Sequence, residues 1–500
     1  MAVVFYHTSA TQASEFQSCF QVIENRKIYG RALKKEVKLG SRRRCILILA
    51  DGARSDVIWE LMTRGMLPNI ERFLAERGGF HEAVSAFPSV TGCAYLPIIT
   101  GFTPGECNVP GMCWVDRRYL GVKSFHLDRY RDYFGVHSYL FNRDISPAVK
   151  TLFELADNPM NIFSFVSRGC DFKGDVTRYT RGLRWVWAHL SGRWDKVDLE
   201  AAQFALKGIE EGRDFIFLLM PSIDALSHRS SPLSDEVIQG YMRLDETVGK
   251  IARTTDPEET MIVLTSDHGL SETQVHFDLA EFLSRLGFKT LHSGRRWRLN
   301  PDMAIMPSGN AMAHIYVRPE SGWSERCYYP ELRRFGGHKV DLVELLLNID
   351  AVDLVAAKVP SGGVIISSRL GEAYVELEGK MITYQILEGE DPFGYPPFPG
   401  EISDRKLLEL SMNTDYPDAP YQILKLFTSP RSGDIILSAS RGCELRAQSR
   451  RFIHNSGHGS LRREHILVPF LLNRPLTRTG PFRTADIFSI IVEFLIDKTP

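Results

Sequence analysis

The chain has no continuous apolar run long enough to cross a membrane. Its best runs, Phe215–Met220 and Ile487–Val492 with Ser489 inside it, fall well short of the roughly 18 residues a spanning helix needs. No charged-then-apolar leader opens it, because Gln12, Glu15, Gln17 and Ser18 interrupt the start. No Cys-x-x-Cys pair occurs among its 8 scattered cysteines, and a disulfide framework would be odd at this size. Free thiols and a cytoplasmic location are the expectation. A charge surplus is also lacking: 60 Lys and Arg face 61 Asp and Glu, a formal net charge of -1. That balance excludes a protein that holds a nucleic acid duplex by bulk attraction. Apolar residues at 44% with charged residues at 24% exclude wholesale disorder and describe a globular chain.

What is present is length and order. Five hundred residues suggest about three domains or one large core with insertions. Residues 1–44 read as a basic appendage, with Lys and Arg at 26, 27, 31, 34, 35, 38, 42, 43 and 44 against Glu24 and Glu36. From Cys45 the texture changes. Cys45–Ala50, Phe215–Met220 and Met261–Thr265 are continuous apolar runs, as expected of strands buried on both faces of a parallel sheet. Residues 234–251 place Val237, Ile238, Tyr241, Leu244 and Val248 on one helical face. This strand–helix alternation predicts an α/β fold. The core is expected to comprise 45–290 and 431–500, and the less regular 291–430 an inserted cap. Within the cap, Asp391–Gly400 is rich in Pro and Gly and reads as a surface loop.

Polar clusters follow the three buried runs: Asp51-Gly52, then Asp224 with His228, then Asp267-His268-Gly269. In open α/β sheets the carboxyl ends of the strands are where ligands bind. Asp224 and His228 are one helical turn apart, so one face can carry both. A further histidine, His458, sits between two glycines near the C-terminus, with His454 and His465 on either side as candidates for orienting a ligand. Asp and His donors suit zinc- or manganese-like ions. Phe87-Pro-Ser-Val-Thr91-Gly92 adds a hydroxyl before an apolar helix, where backbone N–H groups favour an anion.

Taken together these segments resemble the alkaline phosphatase superfamily, most closely its type I phosphodiesterase/nucleotide pyrophosphatase branch. The matching stretches are Ile46–Gly52, Phe87–Thr91 with Thr100-Gly101, Asp224–His228, Thr265–Gly269, and Ser456–Ser460 with Glu464-His465 and Val468-Pro469. The resemblance implies a three-layer α/β sandwich with a mostly parallel central sheet and an inserted cap. It implies two divalent metal ions, Zn2+ foremost and Mn2+ next. One would be held by Asp51, Thr91, Asp267 and His268, the other by Asp224, His228 and His458. Thr91 would attack phosphorus to form a phosphothreonine intermediate that water then hydrolyses, with net retention at phosphorus. The expected substrate is a small phosphodiester or phosphoanhydride, a nucleotide among the candidates.

One position departs from the family. Nucleotide pyrophosphatases often carry Asn three residues after the nucleophile, and here Ala94 stands there. A lost donor of this kind typically costs about 3 kcal/mol of transition-state stabilisation, so another donor is needed, and the Gly92 N–H is the candidate. Tyr95, Phe102, Trp114 and Tyr119 are candidates to stack on a nucleobase or other leaving group. Cys93 lacks the Cys-x-Pro-x-Arg context of sulfatases and reads as a packed thiol. The same metal core would also serve a phosphomonoesterase, a phosphonate hydrolase or a phospho-group transferase. A metal-stabilised binding protein without turnover is the alternative of a different class.

Overall fold

The computed structural model describes residues 43–121, 127–292, 300–336, 339–447 and 454–496. The basic appendage lies outside them, apart from Arg43 and Arg44.

Seven strands form the central sheet: β1 (Arg44–Ala50), β2 (Phe80–Val84), β3 (Pro159–Ile162), β4 (Phe215–Met220), β5 (Thr260–Thr265), β6 (Leu467–Leu472) and β7 (Phe482–Arg483). Their spatial order is β7-β2-β6-β5-β1-β4-β3. β6 alone runs antiparallel to its neighbours; the other pairings are parallel. The continuous apolar runs seen in the sequence are the buried central strands: every residue of β4 and β5 is buried, as is β1 beyond Arg44. Helices cover both faces of such a sheet, so neither face needs polar residues.

The helices that bear on function are α1 (Tyr95–Thr100), α2 (Arg181–Ser191), α3 (Ser222–Ser227), α4 (Asp235–Thr254) and α5 (Thr484–Ile496). α4 buries Val237, Tyr241, Leu244 and Val248 on the face its periodicity predicts. α5 packs on α1.

A second sheet of nine strands is drawn largely from the irregular middle of the sequence. Its order is Thr290–Leu291, Met303–Pro307, Met312–Val317, Ile435–Ala439, Val352–Lys358, Val364–Ser367, Gly371–Glu378, Met381–Gly389, Glu401–Ser403. All its pairings are antiparallel except the first. Ile435–Ala439 arrives from late in the chain and inserts at the centre. The loop 391–400 does not skim the surface as its proline content suggests. Phe393 and Tyr395 are buried, their rings stack at 5.0 Å, and Phe393 meets the Tyr416 ring edge-on at 5.5 Å. Aromatic area outweighs turn composition here, because burying such rings removes a large apolar surface from water.

Candidate active site

Parallel pairing decides where the chemistry gathers. Ala50 pairs with Met220 and Leu49 with Thr265, so β1, β4 and β5 end at one edge. Asp51 follows β1 directly, Asp267 lies two residues beyond β5, and Asp224 sits on α3 just past β4. Gly52 turns with φ 73°. A Cβ there would lie 2.9 Å from the Asp224 Cβ, so glycine lets the two acidic turns touch, and the Asp224 N–H donates to the Asp51 carbonyl at 3.0 Å.

Thr91 lies in the turn ahead of α1. Its hydroxyl is 3.3 Å from Asp51 Oδ1 and 3.1 Å from His268 Nε2. It is half-buried, as are Asp224 and His228, whereas Asp51, Asp267, His268 and His458 are buried; Thr91 therefore belongs to the open side of the cluster. Gly92 adopts φ 89°, and a Cβ there would come within 2.5 Å of Phe165. A side chain at 92 would push the Thr91 turn away from the cluster.

The C-terminal loop closes the site. Asn455 N–H donates to the His228 carbonyl at 3.0 Å, and the Ser456 hydroxyl donates to the Ser230 carbonyl at 3.0 Å. The Ser89 hydroxyl donates to the Ser460 carbonyl at 2.8 Å. His458 and His268 stack with centroids 3.7 Å apart.

Three backbone carbonyls set the imidazole tautomers. His228 Nδ1 meets Ser456 O at 2.7 Å, His458 Nδ1 meets Ser89 O at 3.0 Å, and His268 Nδ1 meets Gly269 O at 3.1 Å. A carbonyl only accepts, so each Nδ1 carries the hydrogen. Each neutral ring then turns an Nε2 lone pair inward. These lone pairs face carboxylates: His228 Nε2 is 3.3 Å and His458 Nε2 3.9 Å from Asp224 Oδ1, and His268 Nε2 is 3.3 Å from Asp267 Oδ2.

Both Asp224 Oδ1 and Asp267 Oδ2 are buried without a hydrogen-bond partner. A buried carboxylate oxygen facing a lone pair is unfavourable unless a cation lies between them. The donor atoms of Asp51, Asp267 and His268 lie within 4.8 Å of one another, as do those of Asp224, His268 and His458. The residues therefore fit divalent metal binding by Asp and His.

Electrostatics points the same way. Burial, then the charges of Asp267 and Asp224, push the Asp51 carboxyl well above the usual range. Burial likewise raises Asp267, with Asp224 adding to it and His268 opposing. Burial acts in that sense on Asp224 too, but His228, His458 and His268 together hold its carboxyl below the usual range. Burial opposes charge on His228, and Asp224 reverses that and raises it. Burial and neighbouring His268 push His458 well down. Three carboxylates this close repel one another, and divalent cations would offset the repulsion.

The seven expected ligand residues thus lie together, with Gly92 beside them. Tyr95 and Trp114 are interior. The Tyr95 hydroxyl donates to Asp51 Oδ2 at 3.2 Å, bracing the cluster from the core side. Trp114 donates its indole N–H to the Tyr133 hydroxyl at 3.2 Å and carries the Arg431 guanidinium 4.3 Å from its ring centroid. Tyr119 is half-buried beside Arg118. Ala94 is fully buried, and so is Cys93, whose thiol burial pushes up. His465 bridges the Ser460 and Ser271 hydroxyls, each at 2.7 Å. His454 lies 4.5 Å from the His228 ring and meets Asn310 Nδ2 at 3.0 Å. Sequence reading gave Ser89 and Ser456 no role, because they hold the His458 and His228 rings through carbonyls that any residue possesses, while their hydroxyls tie loops together.

Comparison with known proteins agrees with this geometry. Two solved structures share the fold over nearly their whole length. Phosphonoacetate hydrolase from Sinorhizobium meliloti 1021, in complex with phosphonoformate, superposes with TM-score 0.56 at 16% identity, over 91% of this chain and 96% of its own. Murine ectonucleotide pyrophosphatase/phosphodiesterase 5, in complex with AMP, gives 0.50 at 11% identity, over 92% and 96%. GPI ethanolamine phosphate transferase 1 of Mus musculus is 22% identical over 244 residues, 47% of this chain. The chain spans about a quarter of the length of such curated relatives, 24% of the mouse protein. The model of the family "Type I phosphodiesterase / nucleotide pyrophosphatase" matches residues 45–325. With the Asp and His cluster at the carboxyl edge of an alkaline phosphatase-like sheet, that match places the chain in the type I phosphodiesterase/nucleotide pyrophosphatase family of enzymes.

Proposed function

We propose that the protein is a two-metal phosphohydrolase that cleaves a phosphodiester or phosphoanhydride through a phosphothreonine on Thr91. The observation that carries this reading is the Thr91 hydroxyl, 3.3 Å from Asp51 and 3.1 Å from His268 at the open side of the cluster. Asp51, Thr91, Asp267 and His268 would hold one ion, and Asp224, His228 and His458 the other, with Zn2+ preferred over Mn2+. When bound, such ions supply positive charge to the phosphoryl oxygens and to the leaving oxygen.

The chain's own groups do the rest. Asp51 and His268 orient the Thr91 hydroxyl, and the Tyr95 hydroxyl holds Asp51 in place. The Thr91 Oγ1 proton passes to solvent, Oγ1 bonds to phosphorus as the bond to the leaving oxygen breaks, and the leaving group departs as an anion that solvent protonates. Water then attacks the phosphothreonine and restores the hydroxyl. Two in-line displacements give net retention. The Gly92 N–H takes the donor role that Ala94 cannot fill.

The surroundings favour a diester over a monoester. Among the described residues, no Lys or Arg forms an ion pair with Asp51, Asp224 or Asp267 within 4 Å, where the basic partners are histidines, and the Gly92 position is flanked by Phe165 and Met112. A monoester carries more charge and calls for added Arg or Lys; an apolar flank suits a second ester group. The substrate is read as a small phosphoester, a nucleotide among the candidates, handled in the cytoplasm. Transfer to an alcohol in place of water would use the same intermediate.

The test is nitrophenol release from bis-p-nitrophenyl phosphate with zinc or manganese present. Release by the wild type and loss of nearly all of it in Thr91→Ala are expected. Wild-type rates in Thr91→Ala would remove the nucleophile assignment, and no release at all would leave a binding protein. Comparing kcat/KM for monoester, diester, dinucleotide and phosphonate then ranks the substrates.

A further inference from the structure

α2 has an unusual relation to the fold. Only Ala188 among its residues is buried, and Trp185 is half-buried. Trp185 and His189 pack edge-on against Trp194 at 5.1 and 5.0 Å and anchor the helix. The opposite stripe, Leu183, Val186, Trp187 and Leu190, has the i, i+3, i+4, i+7 spacing of a buried face, yet these residues are 75%, 58%, 44% and 84% exposed. Tyr139 stands beside this helix, and two further exposed aromatics precede it in the chain. The Tyr139 hydroxyl lies 3.9 Å from a Cβ placed at Gly182, and the exposed Phe172 and Tyr179 rings meet at 5.4 Å. An exposed apolar stripe of this kind marks an interaction site.

Its rim is basic. Between 171 and 196 the exposed ionised side chains are Lys173, Arg178, Arg184, Arg193, Lys196 and Asp171; Arg184 pairs with Glu200 at 3.0 Å and Arg193 with Asp195 at 2.9 Å, so the surplus rests on Lys173, Arg178 and Lys196. The patch also borders the catalytic cluster: a Cβ at Gly192 would lie 2.6 Å from the Arg229 guanidinium, next to His228.

We propose that α2, with Tyr139, Phe172 and Tyr179, is a docking surface for an anionic phospholipid bilayer. An amphipathic helix with Trp and Leu outward and Arg and Lys beside them lies in the lipid–water interface, its apolar stripe among the acyl chains and its cations at anionic headgroups. A second copy is a poorer occupant. A two-fold interface sets a patch against itself, and this one would bring its surplus cations together. Docking is separate from the catalytic reading and adds a location to it, since the site then opens beside the membrane surface.

The experiment is flotation of the full, metal-loaded chain with vesicles of phosphatidylcholine and phosphatidylglycerol, and with phosphatidylcholine alone. The wild type binds the anionic vesicles, less so at high salt, and binds neutral vesicles more weakly. The combined variant Leu183→Ser, Trp187→Ser and Leu190→Ser partitions at least about tenfold less. A second variant, Lys173→Glu with Arg178→Glu and Lys196→Glu, loses the preference for anionic vesicles. Both variants keep wild-type hydrolysis of bis-p-nitrophenyl phosphate in solution. Soluble-substrate turnover reports on the catalytic reading alone, and flotation decides docking whatever its result. Wild-type protein that stays unbound, or a serine variant that floats like the wild type, overturns the proposal. So does a wild-type dimer in sedimentation velocity that the serine variant converts to monomer, because the patch is then a subunit interface.

Discussion

The Tyr95 hydroxyl donates to Asp51 Oδ2 at 3.2 Å from a fully buried ring. The other oxygen of the same carboxylate faces Thr91. Tyr95 is therefore a positioning residue: it orients the carboxylate that orients the hydroxyl. Tyr95→Phe keeps the ring and removes the donor. Groups that orient metal ligands typically contribute about ten- to hundredfold in metal affinity or activity. The expected result is a loss of that order in kcat with KM little changed, together with weaker metal binding in a titration. An unchanged metal titration would assign Tyr95 to packing.

Gly92→Ala tests the turn. φ 89° disfavours any side chain, and the new methyl would meet Phe165 at 2.5 Å. Strain and overpacking each cost about 1–3 kcal/mol. A fall in thermal midpoint with a near-complete loss of turnover is expected. Gly92→Ala combined with Phe165→Ala should recover stability before activity, since the φ constraint remains.

Metal binding should show in stability as well as rate. Asp51, Asp224 and Asp267 crowd together with two carboxylate oxygens lacking partners. Ions that bind only the folded chain stabilise it by about 2.7 kcal/mol at a free concentration ~100 times Kd. Chelation should therefore lower the melting temperature, and zinc or manganese should restore it. Elemental analysis of active protein should find about two ions per chain; active protein free of metal would sink the reading.

His314 gives a pH dependence away from the site. Its Nε2 donates to the Pro110 carbonyl at 3.0 Å, and its Nδ1 accepts from the Gly433 N–H at 3.3 Å. The contact with Gly433 needs the neutral ring, since a protonated Nδ1 cannot accept, and burial pushes the pKa down to about 4 from 6.5. Between those values the unfolded chain takes up a proton that the folded chain refuses. Stability is therefore intact above about pH 6.5 and falls as pH drops towards 4, by up to a few kcal/mol. His314→Gln can keep both hydrogen bonds without titrating. Its stability curve against pH should be flatter than wild type over this window by denaturant unfolding.

Much of the core was legible in the sequence because its signals are local. The apolar runs 45–50, 215–220 and 261–265 became β1, β4 and β5, since a strand buried on both faces needs apolar residues without interruption. The Asp and His positions just past those strands were legible for the same reason: parallel strands put their carboxyl ends at one edge. The second sheet was harder to read. Gly371–Glu378 buries only alternate residues along much of its length, and its neighbour in space is often remote in sequence, as Ile435–Ala439 is to Val352–Lys358.

The sequence by itself determined which Asp and His residues follow the core strands, the order of those strands along the chain and the spacing that sets Asp224 one turn from His228. Only the tertiary structure decided how those side chains are aimed. The carbonyls of Ser89, Ser456 and Gly269 choose the imidazole tautomers, the Tyr95 hydroxyl braces Asp51 from the core, and the apolar stripe of α2 faces outward. Periodicity shows that a helix has an apolar face, but what covers that face depends on packing between distant segments. A carbonyl likewise carries no signature in a sequence, because every residue has one.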